Sequence, residues 1–146
     1  MYRKILVAYD GSEGAKHALH AAIELAKITG ARLFSLSVRE HLPYFASSID
    51  EVDEAREQIE GFFERITLEA KTTAGVHGVP LEAIVRPGHE VETIVKFARE
   101  GAFDLLVAGS TGHSNVLGRI MGGTAQNLVR SAPCSVLIVK ETAGSP

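Results

Sequence analysis

Hydrophobic positions along the chain gather into five short runs, at residues 5–8, 33–38, 81–85, 105–108 and 136–139. Four of these runs are nearly continuous, which suits strands covered on both faces, as in parallel sheets. The run at 33–38 carries Ser35 and Ser37, so it alternates more strongly, and the pattern places it nearer a sheet edge.

Between the runs the apolar period lengthens to that of a helix. Ala15, Ala18, Leu19, Ala22, Ile23 and Ala26 form one stripe. Ser12 is suited to cap its start and Gly30 to close its end. A second helix is predicted through Val52, Ala55, Ile59, Phe62, Phe63, Ile66 and Ala70, with a charged, solvated opposite face. A third spans about Glu90 to Glu100, with Val91, Ile94, Val95 and Ala98 inward and Gly101 as terminator. The fourth starts near Gly122 or Gly123, carries Ala125, Leu128 and Val129, and stops before Pro133.

The predicted order is therefore β-α-β-α-β-α-β-α-β, an α/β fold with a parallel sheet, helices on both faces and right-handed crossovers. Residues 41–50 contain a Pro and two Ser without periodicity and are expected to be a mobile loop. Residues 141–146 are expected to be a flexible tail. At 146 residues the chain is expected to be a single domain spanning 1–146, large enough for one core.

Composition narrows the possible chemistry. The net charge of −3 comes with no basic stripe, which argues against nucleic acid as a partner. No apolar stretch approaches the ~18 residues of a bilayer span, and no signal peptide opens the chain, so a cytoplasmic, membrane-free location is expected. Cys134 is the only cysteine, which excludes an internal disulfide and suits a reducing compartment.

Open α/β sheets bind ligands beyond the carboxyl ends of their strands. After the fourth run come Gly109, Ser110, Thr111, Gly112, His113 and Ser114; Gly122, Gly123 and Thr124 follow, where a helix begins. Glycines let backbone approach a ligand closely, and a helix start offers free N–H groups and about half a positive charge. Two such clusters in sequence form an anion cradle. Arg119, between them, either adds charge or points to solvent. There is no GxxxxGK[ST] loop and no GxGxxG after the first strand, which disfavours P-loop and hydride-transfer chemistry. Asp10, at the end of the first run, admits two readings that spacing does not separate: an acceptor for ribose or adenine, or an Asx turn leading into the helix.

Other candidates are read as structural. His17 and His20 lack a third ligand and are taken as surface residues, so no metal site is assigned. Ser110 and His113 have neither a GxSxG elbow nor a third partner, so no catalytic residue is assigned. His89 is read as starting the third helix rather than rimming the crevice. Cys134 is read as a buried structural thiol.

Val7-Ala8-Tyr9-Asp10-Gly11-Ser12, the spacing of Gly109, Gly112 and Gly122, and the close from Ala132 to Val139 together resemble the universal stress protein family. The resemblance implies an open five-stranded sheet of order 3-2-1-4-5. It implies an adenine-nucleotide site, for ATP, ADP or AMP, with magnesium where the phosphates carry it. Asp10 would face the ribose or adenine. Val38 would meet adenine through its backbone, with Ala8 and Tyr9 lining the pocket. Ala108 would also belong to the nucleotide site, and Gly109, Gly112, His113, Ser114, Gly122, Gly123 and Thr124 would surround the phosphates. It also implies a homodimer through the last strand, from Val136 to Val139, working as a stress-response sensor or regulator. The alternatives are a slow ATPase using the same crevice and a nucleotide-independent interaction module. One departure stands out: Gly123 occupies the position where the family has Ser or Thr, and Thr124 follows one step later.

Overall fold

The computed structural model describes residues 1–40, 49–111 and 121–141, with side chains left aside at 49–52. Nine elements follow one another: β1 (Lys4–Ala8), α1 (Glu13–Thr29), β2 (Arg32–Arg39), α2 (Ile49–Val76), β3 (Leu81–Pro87), α3 (Glu90–Glu100), β4 (Leu105–Gly109), α4 (Gly123–Ser131) and β5 (Ser135–Val139). All strand pairs are parallel, in the order β3-β2-β1-β4-β5. The register sets Val7 beside Ser35 and Val107.

The period of two along β1 divides the core. Ile5, Val7 and Tyr9 face α1 and α2, where Leu19, Ile23, Ile66 and Ala70 cover them. Leu6 faces the other way, with Phe34, Leu36 and Leu106 under Ile94, Ala98 and Leu128 of α3 and α4. Full burial of each such large side chain contributes roughly 1.5–3 kcal/mol, so these two layers hold the sheet between its helices. Ser12 caps α1 by accepting the Ala15 N–H at 3.2 Å, and Gly30 ends it in the left-handed region at φ 74°.

Three expectations change. β2 is interior, between β3 and β1, and the exposed edge strands are β3 and β5. Ser35 and Ser37 are both buried, and the Ser37 hydroxyl donates to the Tyr9 carbonyl at 2.6 Å. Its polarity is satisfied locally and signals no edge. Val129 turns outward on α4, 52% exposed, leaving Ala125 and Leu128 as the inward residues. Gly101 ends α3 as expected, with φ −83°, and the left-handed residue is its neighbour Ala102, at φ 54°. Of the loop read over 41–50, residues 41–48 lie outside the described residues, while Ile49 and Asp50 already belong to α2. Residues 142–146 of the expected tail likewise lie outside them.

Candidate functional site

Strand order reverses between β1 and β4: the chain leaves β1 toward β2 on one side, and β4 begins the other half of the sheet. Such a reversal opens a crevice at the carboxyl ends of the two strands. Asp10 stands at the end of β1. Its Oδ1 accepts the N–H of Ser12 at 2.9 Å, an Asx turn that feeds the chain into α1. The turn-forming reading of Asp10 is thus realised, at a position on the crevice wall.

The β4 side is tightly tied. The Ser110 N–H donates to the Val139 carbonyl at 3.0 Å, and the Ser110 carbonyl accepts the Gly122 N–H at 2.8 Å. Gly122 thereby brings the start of α4 beside the end of β4. As N-cap residue it has no side chain to offer, and among the described residues no side chain caps α4. A Cβ at Gly123 would meet nothing within 4 Å, so that position is open. Gly123 and Thr124 are exposed on the first turn. Gln126 reinforces the entry, its Nε2 donating to the Met121 carbonyl at 2.8 Å. The contrast with α1, capped by its own Ser12, is electrostatic: the N-cap residue of α4 has no side chain to screen the positive end of its dipole.

Ala8, Val38 and Ala108 belong to the face that α3 and α4 cover, so these three lie on one side of the sheet near its carboxyl end. Tyr9 does not join them. Its ring lies among the α1 and α2 residues and lines a cleft of about 240 Å³ with Lys16, Leu19, His20, Glu69 and Thr73. Burial, with Glu69 and then Asp10 and Glu13 nearby, pushes its hydroxyl up to about 12. Its carbonyl is taken by Ser37 and its N–H by Leu36. Gly112, His113, Ser114 and Arg119 lie outside the described residues.

The remaining candidates are placed as follows. His17 Nδ1 is 4.0 Å from the Glu141 carboxylate, and His20 meets the His77 ring edge to face. His89 is the N-cap of α3 without a side-chain hydrogen bond; instead the Glu40 carboxylate accepts the Glu90 N–H at 3.2 Å. Cys134 is half-buried, and burial together with Asp104 raises its thiol, against a weaker opposing hydrogen bond from Leu106. Sequence reading overlooked Gly14, whose backbone touches that of Gly109. A glycine in the first turn of a helix, where Ala would be preferred, was the available signal.

The fold and the crevice define the class of open, doubly wound α/β proteins whose ligands enter at the switch point of the sheet. Within that class the assignment is specific. The model of the universal stress protein family matches residues 1–140, and the chain belongs to that family. Universal stress protein YxiE of Bacillus subtilis is 32% identical over 148 aligned positions, covering 96% of this chain and 100% of that protein. Among solved structures, universal stress protein UspA from Lactobacillus plantarum superposes with a TM-score of 0.82 at 26% identity, covering 95% of this chain and 98% of that one. A universal stress protein in complex with cAMP gives 0.74 at 27% identity, covering 97% and 99%.

Proposed function

We propose that this chain, folded as one domain, binds an adenine nucleotide in the β1/β4 crevice and acts as a regulator rather than a catalyst. The observation that carries the reading is the start of α4. The Gly122 N–H is taken by Ser110, and Gly123 and Thr124 carry the first-turn amides of α4 beside the end of β4, with no cap from the side chain of the N-cap residue. That arrangement receives a phosphate through N–H groups and the helix dipole. Asp10 and Val38 supply the ribose and adenine end, and Ala8 and Ala108 the apolar wall between. The related structure in complex with cAMP supports the ligand class.

Gly123 in place of Ser or Thr removes a hydroxyl from the cradle, while the backbone amide stays. Binding therefore depends more on adenosine and the first phosphate than on a terminal one. ATP, ADP and AMP all fit this reading, and any magnesium is carried by the nucleotide's own phosphates. Among the described residues no three His, Cys, Asp or Glu side chains group as a metal site.

The regulator reading rests on a dimer. β5 is an edge strand with Leu137 partly exposed, and an open apolar edge pairs readily with a second copy about a twofold axis. Nucleotide occupancy then shifts the loops around α4 and the partner surface beside them. Among the described residues no helix is long and apolar enough to cross a membrane, which supports a cytoplasmic setting.

The test is direct. The purified protein is denatured, released nucleotide is identified, and thermal shifts are recorded with cAMP, AMP, ADP and ATP. Adenine nucleotide in the supernatant, or a shift with any of the four, is expected. No released nucleotide and no shift with any of them leaves only an interaction module that works without nucleotide.

A further inference from the structure

The first turn of α1 and the end of β4 meet through backbone alone. A Cβ placed on Gly109 would stand 2.7 Å from both the carbonyl carbon and the carbonyl oxygen of Gly14. A Cβ placed on Gly14 would collide with the carbonyl oxygen of Thr111. In both cases the obstacle is main chain, which cannot swing aside as the tip of a flexible side chain can. Gly14 is buried within α1, where glycine weakens the helix relative to alanine. Close approach of another backbone accounts for a glycine at such a position.

The three residues 109–111 are therefore held on three sides. α1 lies beneath them through Gly14, β5 is joined through the Ser110 N–H to the Val139 carbonyl, and α4 through the Gly122 N–H to the Ser110 carbonyl. A change in the height of Thr111 above α1 is passed through Ser110 to Gly122, and so to the first amides of α4.

We infer that Gly14 is a positioning residue for the phosphate-bearing end of the ligand. By lacking a side chain it lets residues 109–111 rest on α1, which fixes where the α4 amides point. Gly14 itself touches no ligand. The inference rests on the adenine-nucleotide reading, and it adds that one contact on α1 governs the phosphate end while leaving the nucleoside end alone.

The experiment compares AMP with adenosine, two probes that differ only in the phosphate. Affinities are measured calorimetrically for the full chain, for Gly14→Ala, and for Gly61→Ala as control. Gly61 lies on α2, where a Cβ would meet nothing within 4 Å. Gly61→Ala is expected to raise Tm and leave both affinities unchanged. Gly14→Ala is expected to weaken AMP at least tenfold and adenosine less than twofold, with an unchanged circular dichroism spectrum. A purely structural role would weaken both probes alike.

AMP affinity within twofold of wild type in a folded Gly14→Ala protein overturns the positioning role alone. Absence of AMP binding by the wild-type chain overturns the underlying reading and the role with it. Should Gly14→Ala fail to fold, amide exchange in the wild-type chain decides. AMP must then slow exchange at Lys16 and His17 in the first turns of α1, as well as in α4, and protection confined to α4 overturns the inference.

Discussion

The backbone N–H of Gly122 donates to the carbonyl of Ser110 at 2.8 Å, joining the first residue before α4 to the first residue after β4. This bond carries the approach of the two glycine clusters. Gly122 has φ −64°, a value that proline adopts without strain, but proline has no N–H and its ring would press on Ser110. Gly122→Pro is expected to lower stability by about 1–3 kcal/mol and to abolish nucleotide binding. Gly122→Ala, whose Cβ makes only ordinary contact with Ser110 at 3.5 Å, is expected to keep both. Chemical denaturation and calorimetry on the two variants check this. Gly109→Val is a poor probe, because its collision with Gly14 would unfold the site rather than empty it.

Tyr9 gives a spectroscopic prediction. Burial and the nearby Glu69 carboxylate raise its hydroxyl to about 12, above the ordinary 10. The folded state thus holds its proton more tightly than the unfolded chain does. The corresponding stability is complete below pH ~10 and is lost as pH rises through about 12. Ultraviolet titration should show one of the three tyrosines ionising late, and Tyr9→Phe should remove that step.

Asp104 predicts the acid side. Desolvation alone would raise its carboxyl, but the N–H groups of Arg3 and Lys4, at 2.8 and 3.0 Å, outweigh it and hold the group below its ordinary value. The stability it adds is present above the unfolded value, near pH ~4, and is lost as pH falls through the folded one. Asp104→Ala is expected to cost about 1 kcal/mol at neutral pH, with the difference from wild type closing below pH ~4. Urea titrations at several pH values measure it.

The end of α3 predicts a pair of opposite effects. A Cβ on Gly101 would meet the Phe103 ring at 2.5 and 2.9 Å, whereas Ala102 bears the left-handed φ of 54°. Gly101→Ala is expected to destabilise by about 1–3 kcal/mol through overpacking. Ala102→Gly is expected to stabilise by a few tenths to about 1 kcal/mol through relieved backbone strain. Thermal melting of the two variants gives the signs.

That pair also shows what a sequence makes legible. The order of strands and helices is readable because burial imposes a period of two or 3.6 on the apolar positions. α3 is bounded by Glu90 and Glu100 as its stripe requires. Gly101 is legible as the residue after α3, but its reason is the Phe103 ring, which no local pattern reveals. Ser35 and Ser37 mislead because a polar residue inside a sheet looks like an edge until its partner, here the Tyr9 carbonyl, is known. Asp10 is legible as a residue of the crevice, while its Asx bond to Ser12 is a matter of geometry. Tyr9, adjacent to Asp10, belongs to the opposite layer because successive strand residues alternate faces. Gly14 is hidden for a different reason: its contact with Gly109 joins two backbones far apart in the chain.

The central claim is that adenine nucleotide enters at the β1/β4 crevice. The most direct measurement is amide chemical-shift mapping of the isotope-labelled protein titrated with AMP. The account predicts saturable shifts at Asp10, Val38, Ser110 and the stretch from Gly122 to Thr124, with β3 and the exposed face of α2 unmoved. Saturable shifts confined to the Tyr9, Lys16 and Glu69 cleft, or no shifts at all, would contradict it.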